Sequence, residues 1–385
     1  MRVVRDTSLL TEVLHLVVQP SDTEAHAFFC ELGLQPIPDV PQLLCLVLDE
    51  SQLRGVFCQI SQRLSEAGQA DSRFILTRSP LQSKALLIEF LHAQPLSSVT
   101  VPIKHQWFFQ ALADRAFVFK YQPIYNLASG EVLAYECLAR AVQGQGQYFN
   151  GKQILDAALS THCTHEFDEL ARETCINAIA QVSNGQTFFI NVLPNAILQG
   201  PKSLERNLQQ VLALGLQPQQ IVFELTEVEA LIQHPDLSRL IHQIRDYGFG
   251  VAIDDLGGQV AIDHYFMALH PDVIKLDRQL VQGCSRHPVQ QILLKSLLYS
   301  AHEMGILVVA EGLETAEDIA FCRDLGVDFG QGFGLAKPEV ILQQQRLDLA
   351  SFCPLINRRP AIAPLFAAKL AAFNSRQPRL THAIS

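Results

Sequence analysis

Two adjacent aspartates, Asp254 and Asp255, end an apolar run in the stretch FGVAIDDLGG (249–258). Neighbouring carboxylates repel each other, and the repulsion destabilises a fold wherever water is scarce. Hard divalent cations prefer carboxylate oxygens as ligands. A pair at the end of a strand could therefore bridge two metal ions. Such two-metal sites support displacement at phosphorus by an activated water.

Further polar residues are predicted at the ends of other strands. Taken singly each has an ordinary alternative, since a strand-end carboxylate can cap a helix and Lys275 can be a surface lysine. Together, so many carboxylates at one rim would require cations to neutralise them. We therefore expect Mg²⁺ or Mn²⁺, with two ions per site. The additional residues are Glu136, Asn191, Glu224, Lys275, Glu311 and Gln331.

Strands that alternate with helices must position these side chains. Amphipathic helical patterns at 165–182 and 287–305 separate short apolar runs rich in β-branched and aromatic residues. Eight such runs over about 230 residues predict an α/β fold, a TIM-like (β/α)₈ barrel of parallel strands. A doubly wound sheet is the alternative, but no G-x-G-x-x-G motif follows a first strand. The predicted strands are 116–124, 132–140, 187–192, 220–226, 249–254, 273–277, 306–312 and 327–333.

The chain before the barrel has a different pattern. Residues 1–112 combine apolar runs with a helical stretch and several prolines, which predicts a smaller α/β or α+β module. We assign it a regulatory role only from its position. The barrel is predicted to cover 113–343. The C-terminal extension, 344–385, is expected to contain a packing helix followed by a loose end.

Composition excludes several classes of function. A net charge of −10 over 385 residues disfavours broad binding to a nucleic acid polymer or an anionic membrane. No uncharged apolar run approaches the roughly 20 residues that span a bilayer, so we expect no membrane insertion and a cytoplasmic location. Nine cysteines without a C-x-x-C pair disfavour a disulfide framework or a zinc ribbon. Most of them are expected to be small buried hydrophobes.

Eight short motifs occur in a characteristic order. They are YQPIY (121–125), ECLAR (136–140), INVLP (190–194), FELTE (223–227), AIDDLG (252–257), IKLD (274–277), AEGLET (310–315) and QGFGLAKP (331–338). As a set they resemble the motifs of EAL-domain cyclic di-GMP phosphodiesterases, and the match covers roughly residues 113–340. Cys137 stands where that family usually has alanine. The resemblance implies hydrolysis of cyclic di-GMP to linear pGpG in bacterial second-messenger signalling.

The resemblance also implies a role for each matching residue. Lys275 would hold the attacking water or a phosphate oxygen, and Glu311 would be the general base or a ligand of the second metal. Gln331 would complete the network of water and metal. The implied metal ligands are Glu136, Asn191, Glu224, Asp254 and Asp255. The implied contacts to the dinucleotide are Gln122, Arg140 and Pro338.

One loop departs from the family pattern. Family members commonly have DDFGTGYSSL where this chain has DDLGGQVAID (254–263). In the family this loop positions the second metal and takes part in dimerisation, and Glu314 of this chain would anchor it. Gly258 offers no hydroxyl to Glu314, and Gln259 replaces a conformationally permissive glycine.

That departure leaves a second hypothesis open. A catalytically weak EAL domain could act as a cyclic di-GMP receptor or as a protein-interaction module. In either case we expect a homodimer through the barrel and a protein partner for the N-terminal module. Turnover with Mg²⁺ or Mn²⁺ discriminates the enzyme from the receptor.

Overall fold

A computed structural model describes residues 14–38, 40–81, 84–144, 146–199, 202–226, 235–256 and 269–352. The chain divides into two units between Gln110 and Ala111. Among the described residues no helix is long and apolar enough to cross a membrane. The eight described cysteines are all free thiols, and five of them are buried, as the composition predicts.

The N-terminal unit is built on a five-stranded antiparallel sheet with the order β2-β3-β1-β4-β5. Its strands are β1 (Leu14–Gln19), β2 (Gln35–Ile37), β3 (Val40–Leu48), β4 (Arg73–Thr77) and β5 (Gln94–Pro95). Its helices are α1 (Thr23–Glu31), α2 (Glu50–Arg63), α3 (Glu66–Asp71), α4 (Lys84–Phe90) and α5 (Ser97–Lys104). Helix α6 (Gln106–Ala113) follows.

Alternation along β1 explains how this unit is packed. Leu16 points to the face covered by Phe29 of α1 and Ile60 of α2. Its neighbour Val17 points to the opposite face, where Leu86 of α4 packs. The antiparallel sheet with helices makes this unit α+β, which confirms the smaller module predicted from the sequence.

The second unit contains the predicted eight-stranded barrel. The strands form one continuous sheet, and pairing between its first two strands closes it. An extra strand, β8 (Gln147–Phe149), extends the second barrel strand as a hairpin. The barrel strands are β6 (Phe117–Asn126), β7 (Val132–Gly144), β9 (Thr187–Val192), β10 (Ile221–Leu225), β11 (Gly250–Leu256), β12 (Val273–Leu276), β13 (Leu307–Ala310) and β14 (Phe329–Gly330).

Helices follow the strands and cover the outside of the barrel. The two predicted from amphipathic patterns are observed at Thr164–Val182 and Pro288–Glu303. Short 3₁₀ turns cover Pro218–Gln220 and Leu349–Phe352. The helices are α7 (Gly151–Ser160), α8 (Thr164–Val182), α9 (Pro194–Gln199), α10 (Ser203–Ala213), α11 (Pro235–Asp246), α12 (Arg278–Val281), α13 (Pro288–Glu303) and α14 (Ala316–Leu325).

The first barrel strand differs from the sequence-based expectation of a fully parallel barrel. Strand β6 runs antiparallel to both of its neighbours, β7 and β14. The physical reason is the connection between β6 and β7, residues 127–131, which includes Gly130 at φ +74°. A parallel crossover needs a dozen or more residues, whereas this short turn can only form a hairpin.

The barrel interior contains one apolar layer to which all eight strands contribute. Residues of alternate register, such as Phe223 and Ile274, belong instead to the outer core beneath the helices. The inner layer therefore fixes which face of each strand points to the barrel axis. Its members are Ile124, Ala134, Phe189, Val222, Ala252, Val273, Val309 and Phe329.

A buried ion pair connects α8 to the chain that follows β9. Arg172 is fully buried and its Nε lies 2.9 Å from Oδ2 of Asp168. The Asp168 Oδ1 atom accepts a hydrogen bond of 2.8 Å from the backbone N–H of Leu193. Arg172 also donates to Oδ1 of Asn207 on α10, at 2.7 Å. Burial raises the pKa of Asp168, and the charge of Arg172 opposes that rise.

Candidate active site

A polar layer lies directly above the apolar layer of the barrel. In every strand the polar residue is two positions from the apolar one, so both side chains point inward. Glu311 and Gln331 lie just beyond β13 and β14, and the backbone N–H of Gln331 still bonds to the carbonyl of Ala310 at 2.9 Å. The layer thus brings together eight residues predicted from the sequence. They are Gln122, Glu136, Asn191, Glu224, Asp254, Lys275, Glu311 and Gln331.

Lys275 occupies the centre of this layer. It is 1% exposed, so it is not the surface lysine considered as an alternative. Its Nζ lies 2.5 Å from Glu311 Oε1 and 2.6 Å from Glu224 Oε1. The same atom lies 3.3 Å from Glu136 Oε2 and 3.6 Å from Asp254 Oδ1. One ammonium therefore faces four carboxylates.

Two carboxamides orient Glu136. Asn191 donates through Nδ2 to Glu136 Oε1 at 3.0 Å, which leaves the Asn191 carbonyl oxygen as the acceptor available to a cation. Gln331 donates through Nε2 to Glu136 Oε2 at 2.6 Å and to Gln122 Oε1 at 3.0 Å. Register explains the arrangement, because Gln122 and Glu136 are paired across β6 and β7.

Burial and neighbouring charges shift the pKa values of these carboxyl groups in different directions. Burial acts to raise the pKa of Glu136, but Lys275 and the amide donors outweigh it and the pKa is lowered. Burial raises the pKa of Glu311 to about 8, with Lys275 opposing and Asp254 adding to the rise. Burial also raises the pKa of Glu224 well above its usual value. For Lys275, burial acts to lower the pKa, yet the surrounding carboxylates raise it strongly.

The donor set fits divalent cations. Glu136, Glu224 and Glu311 each offer a carboxylate oxygen, and these atoms lie within 4.8 Å of one another. Within the described residues, Glu224 Oε2 and Asp254 Oδ1 are buried and accept no hydrogen bond, although the Lys275 ammonium lies 3.6 Å from Asp254 Oδ1. Buried carboxylate oxygens without a donor are destabilising unless a cation approaches them. Oxygen donors without His or Cys favour Mg²⁺ or Mn²⁺ over zinc.

The residues implied as substrate contacts lie beside the polar layer. Arg140 is half-buried on the same face of β7 as Glu136, and burial lowers its pKa while Glu136 opposes the shift. Pro338 is half-buried, and the next residue, Glu339, pairs its backbone with Tyr121 of β6. The substrate roles of Arg140 and Pro338 stay predictions.

Gln122 makes hydrogen bonds at both ends of its amide. It accepts from Gln331 and donates through Nε2 to the carbonyl of Ala336 at 3.3 Å. A dinucleotide would have to compete with the bond to Ala336 for that amide. Its substrate role also stays a prediction.

Two predicted residues are not placed in the layer. The side chain of Asp255 and the altered loop at 257–268 lie outside the described residues, so the role of Asp255 stays a prediction. Glu314 is exposed, and the loop that it would anchor belongs to the same segment. The interior alternation places Asp254 in the polar layer.

Close backbone packing holds the segment that carries Gln331. Gly332 lies against Leu313, and a Cβ at Gly332 would overlap the backbone of Leu313. Backbone hydrogen bonds from Leu313 to Gln331 (3.1 Å) and from Gly334 to Leu313 (2.9 Å) fasten the two segments. The sequence motifs AEGLET and QGFGLAKP therefore form one unit.

Replacing Gly332 with alanine is expected to destabilise the protein by about 1–3 kcal/mol, because backbone atoms cannot yield to the new methyl group. Thermal unfolding measures this effect. Gly151→Ala is the matched control, since the nearest atom to a Cβ at Gly151 is 3.8 Å away. Equal unfolding temperatures for the two variants would contradict the close packing.

Sequence reasoning missed two buried carboxylates that support the site. Asp168 with Arg172 holds the chain after Asn191, and Asp318 of α14 accepts hydrogen bonds from two loops. Charged residues within amphipathic helices are normally assigned to the solvent face, so their type gave no signal. The i, i+4 spacing of Asp168 and Arg172 was the one available hint.

Comparison with known proteins gives a consistent family. The EAL domain family model matches residues 105–338. The cyclic di-GMP phosphodiesterase PdeB of Shewanella oneidensis is 27% identical over 257 residues, 66% of this chain and 29% of that protein. The probable cyclic di-GMP phosphodiesterase PdeG of Escherichia coli is 28% identical over 247 residues, 63% of this chain and 48% of that protein. The match thus spans less than half the length of these two relatives.

Solved structures share the fold. The FimX EAL domain of Xanthomonas citri in complex with c-diGMP has a TM-score of 0.58 at 18% identity, covering 64% of this chain and 97% of that chain. A standalone EAL protein of Vibrio cholerae in its c-di-GMP-bound form has a TM-score of 0.53 at 25% identity, with coverages of 59% and 94%. Both comparisons agree with the closed barrel described above.

Proposed function

Because this chain belongs to the EAL domain family, we propose that it hydrolyses one phosphodiester bond of cyclic di-GMP to linear pGpG with Mg²⁺ or Mn²⁺. The observation that carries the proposal is the polar layer. Four carboxylates surround Lys275 within 3.6 Å, and two buried carboxylate oxygens among the described residues accept no hydrogen bond. A dinucleotide receptor without chemistry has no use for such a concentration of buried negative charge.

The proposed metal ligands are Glu136, Asn191, Glu224 and Asp254, with Asp255 serving a second ion. When bound, divalent cations lower the pKa of water and stabilise charge that develops on phosphate oxygens. Asn191 and Gln331 orient the Glu136 carboxylate through the hydrogen bonds described above. These residues supply oxygen donors that the surrounding hydrogen bonds hold in place.

The reaction requires proton transfer and charge stabilisation. Water adds to one phosphorus atom, one P–O bond breaks, and the departing ribose oxygen takes up a proton. Glu311 is proposed either to accept the proton of the attacking water or to bind the second ion. Lys275 is proposed to hold that water or a phosphate oxygen through its ammonium. Gln122, Arg140 and Pro338 are proposed to contact the dinucleotide beside this centre.

Metal-dependent turnover tests the proposal. The purified full chain is incubated with cyclic di-GMP and Mg²⁺, Mn²⁺ or Ca²⁺, and pGpG is followed by chromatography. We expect pGpG with Mg²⁺ or Mn²⁺, loss of turnover with a chelator, and loss in Glu136→Ala. Ca²⁺ should inhibit, because it tolerates looser geometry than Mg²⁺ requires. Equal turnover in Ca²⁺ would contradict the proposed metal site.

The altered sequence after Asp255 favours a second candidate function. A receptor would bind cyclic di-GMP tightly and release no pGpG under the same conditions. Gly258 and Gln259 replace residues that the family uses to order this loop. Calorimetric titration with cyclic di-GMP in the presence of Mg²⁺ therefore accompanies the turnover assay. Tight binding without product would favour the receptor.

The domain roles are also a proposal. We propose a regulatory N-terminal module over 1–112, a barrel over 113–343 and a C-terminal extension over 344–385. The module would bind a protein partner, and the protein would act as a cytoplasmic homodimer. A chain that begins at residue 113 should then differ from the full chain in rate or in oligomeric state, measured by turnover and by sedimentation. Identical behaviour would contradict a regulatory module.

A further inference from the structure

Asp318 accepts hydrogen bonds from two different loops of the barrel. Its Oδ2 accepts from the backbone N–H of Gly283 at 3.0 Å and from the hydroxyl of Thr315 at 2.8 Å. Its Oδ1 accepts from the backbone N–H of Ser285 at 2.9 Å. The side chain is only 3% exposed although it belongs to the first turn of α14. Burial opposes ionisation, but these donors hold the pKa of Asp318 below its usual value.

The two loops that meet at Asp318 begin at site residues. Gly283 and Ser285 follow the short helix α12, which starts two residues after Leu276 at the end of β12. Thr315 ends the turn that starts at Glu311, directly after β13. Lys275 and Glu311 are therefore the last inward residues before the two fastened turns.

The two turns also contact each other where they leave the barrel strands β12 and β13. The N–H of Glu311 donates to the carbonyl of Leu276 at 3.1 Å. Gly312 adopts φ +64°, and a Cβ there would lie 2.6 Å from Cβ of Arg278 in α12. The start of the two turns is thus fixed by contacts beside the barrel strands. Asp318 fixes the other end.

We propose that Asp318 is a positioning residue that holds Glu311 and Lys275 in the geometry required for metal binding. The inference rests on the proposed function only in assuming that the site binds a divalent cation. The carboxylate of Asp318 accepts hydrogen bonds from Gly283, Ser285 and Thr315, so it acts through the turns at 282–285 and 311–315. In Asp318→Asn one carboxylate oxygen becomes an NH₂ group that faces the backbone N–H of either Gly283 or Ser285, so that N–H loses its acceptor and the two turns can move independently. The Glu311 oxygen then loses its fixed distance from Glu136 and Glu224.

Asp328 supplies a matched control, because its carboxylate contacts strand β13, which Glu311 directly follows. Its Oδ2 accepts from the backbone N–H of Val308 at 2.9 Å and lies 2.9 Å from Nε2 of His302. Asp328→Asn therefore perturbs a carboxylate that fastens β13 at Val308, three residues before Glu311. A merely structural role for Asp318 would make the two variants behave alike.

The first test is Mn²⁺ affinity in the full chain without nucleotide, measured by calorimetry. We expect about tenfold weaker binding in Asp318→Asn, the lower end of the range for residues that orient metal ligands, and less than a twofold change in Asp328→Asn. Thermal unfolding of both variants is measured in parallel. Equal Mn²⁺ affinities in the two variants would overturn the proposal.

The second test does not depend on metal binding or on hydrolysis. Hydrogen exchange of the metal-free full chain should accelerate at 282–285 and at 311–315 together in Asp318→Asn, and in neither segment in Asp328→Asn. Thr315→Val removes the hydroxyl bond to Asp318 Oδ2 and the N-cap bond from the Asp318 backbone N–H, but it keeps the bonds from Gly283 and Ser285 to Asp318. It should therefore give a smaller effect in both segments if Asp318→Asn unfolds. Unchanged exchange in these segments would overturn the proposal even if the protein hydrolyses cyclic di-GMP. Failure of turnover alone would contradict the proposed function and leave this exchange result standing.

Discussion

Replacing Lys275 with methionine is expected to slow hydrolysis strongly and to make the stability of the barrel depend on divalent cations. Methionine has a similar length without the charge, so packing changes little. The four carboxylates within 3.6 Å of Nζ would then lose their central ammonium. Removing one partner of a buried ion pair typically lowers the free energy of unfolding by about 3–5 kcal/mol. Turnover should fall by about 10²–10³, the usual effect of removing one charge-stabilising donor.

The stability loss should vary with pH and with metal. Burial raises the pKa of Glu311 from 4.5 to about 8 even though the Lys275 charge opposes the shift. Removing Lys275 therefore raises the pKa of Glu311 further. A carboxyl group with a raised folded-state pKa binds its proton more tightly in the fold, so stability falls as pH rises above about 4.5. Lys275 also lowers the pKa of Glu136 and of Glu224, so its removal makes further carboxyl groups bind protons in the fold. We therefore expect a steeper loss between pH 5 and pH 8 in Lys275→Met than in the wild type. Saturating Mg²⁺ should recover much of it.

Denaturant unfolding at pH 5 and pH 8, with and without Mg²⁺, measures these effects. Lys152→Met is the matched control, because Lys152 is an exposed lysine of α7. A Lys275→Met protein as stable as the wild type at pH 8 without cations would show that the carboxylates do not depend on the ammonium. Such a result would also remove the electrostatic argument for a metal site.

Replacing Arg172 with methionine is the second prediction with a large effect. The substitution leaves Asp168, which is 3% exposed, without its cationic partner. We expect the free energy of unfolding to fall by about 3–5 kcal/mol at pH 7, as for other broken buried ion pairs. Loss of the Arg172 charge also raises the pKa of Asp168 further. Protonation then offsets part of the penalty, so the loss should shrink as pH is lowered.

A double variant tests whether the penalty comes from the uncompensated charge. Asp168→Asn combined with Arg172→Met removes both charges and keeps an oxygen that can accept from the N–H of Leu193. We expect the double variant to be more stable than Arg172→Met alone, in a double-mutant cycle measured by denaturant unfolding. If the double variant is less stable than the single one, packing and not charge dominates at this position.

The order of strands and the identity of most site residues could be predicted from local sequence. Short apolar runs rich in β-branched and aromatic residues identified all eight barrel strands, and most observed bounds differ from the predicted ones by a few residues. The pattern extends to the site itself, because each inner apolar residue and its polar neighbour are two positions apart. Val222 with Glu224 and Val273 with Lys275 are examples. A period of two is a local property of a strand, and a local property can be derived without knowing the fold.

The direction of β6 required knowledge of the connection as well as of the strands. The residue pattern of a strand suits either a parallel or an antiparallel neighbour. The alternation of strands with helices therefore gave a uniformly parallel barrel. The five-residue turn at 127–131 contains the deciding information, since its length permits only a hairpin. This turn places Gln122 opposite Glu136.

The sequence by itself determined which residues point into the barrel, because side-chain direction alternates along every strand regardless of its neighbours. Only the tertiary structure decided that Lys275 meets Glu136 across 139 positions of chain, and that Asp168 and Asp318 are buried supports of the site. These contacts depend on barrel closure and on helix packing, which bring together segments that are far apart in the sequence. Separation along the chain does not tell which segments meet. The charged residues of the site could therefore be predicted from the sequence. Which of these charges neutralise one another could not.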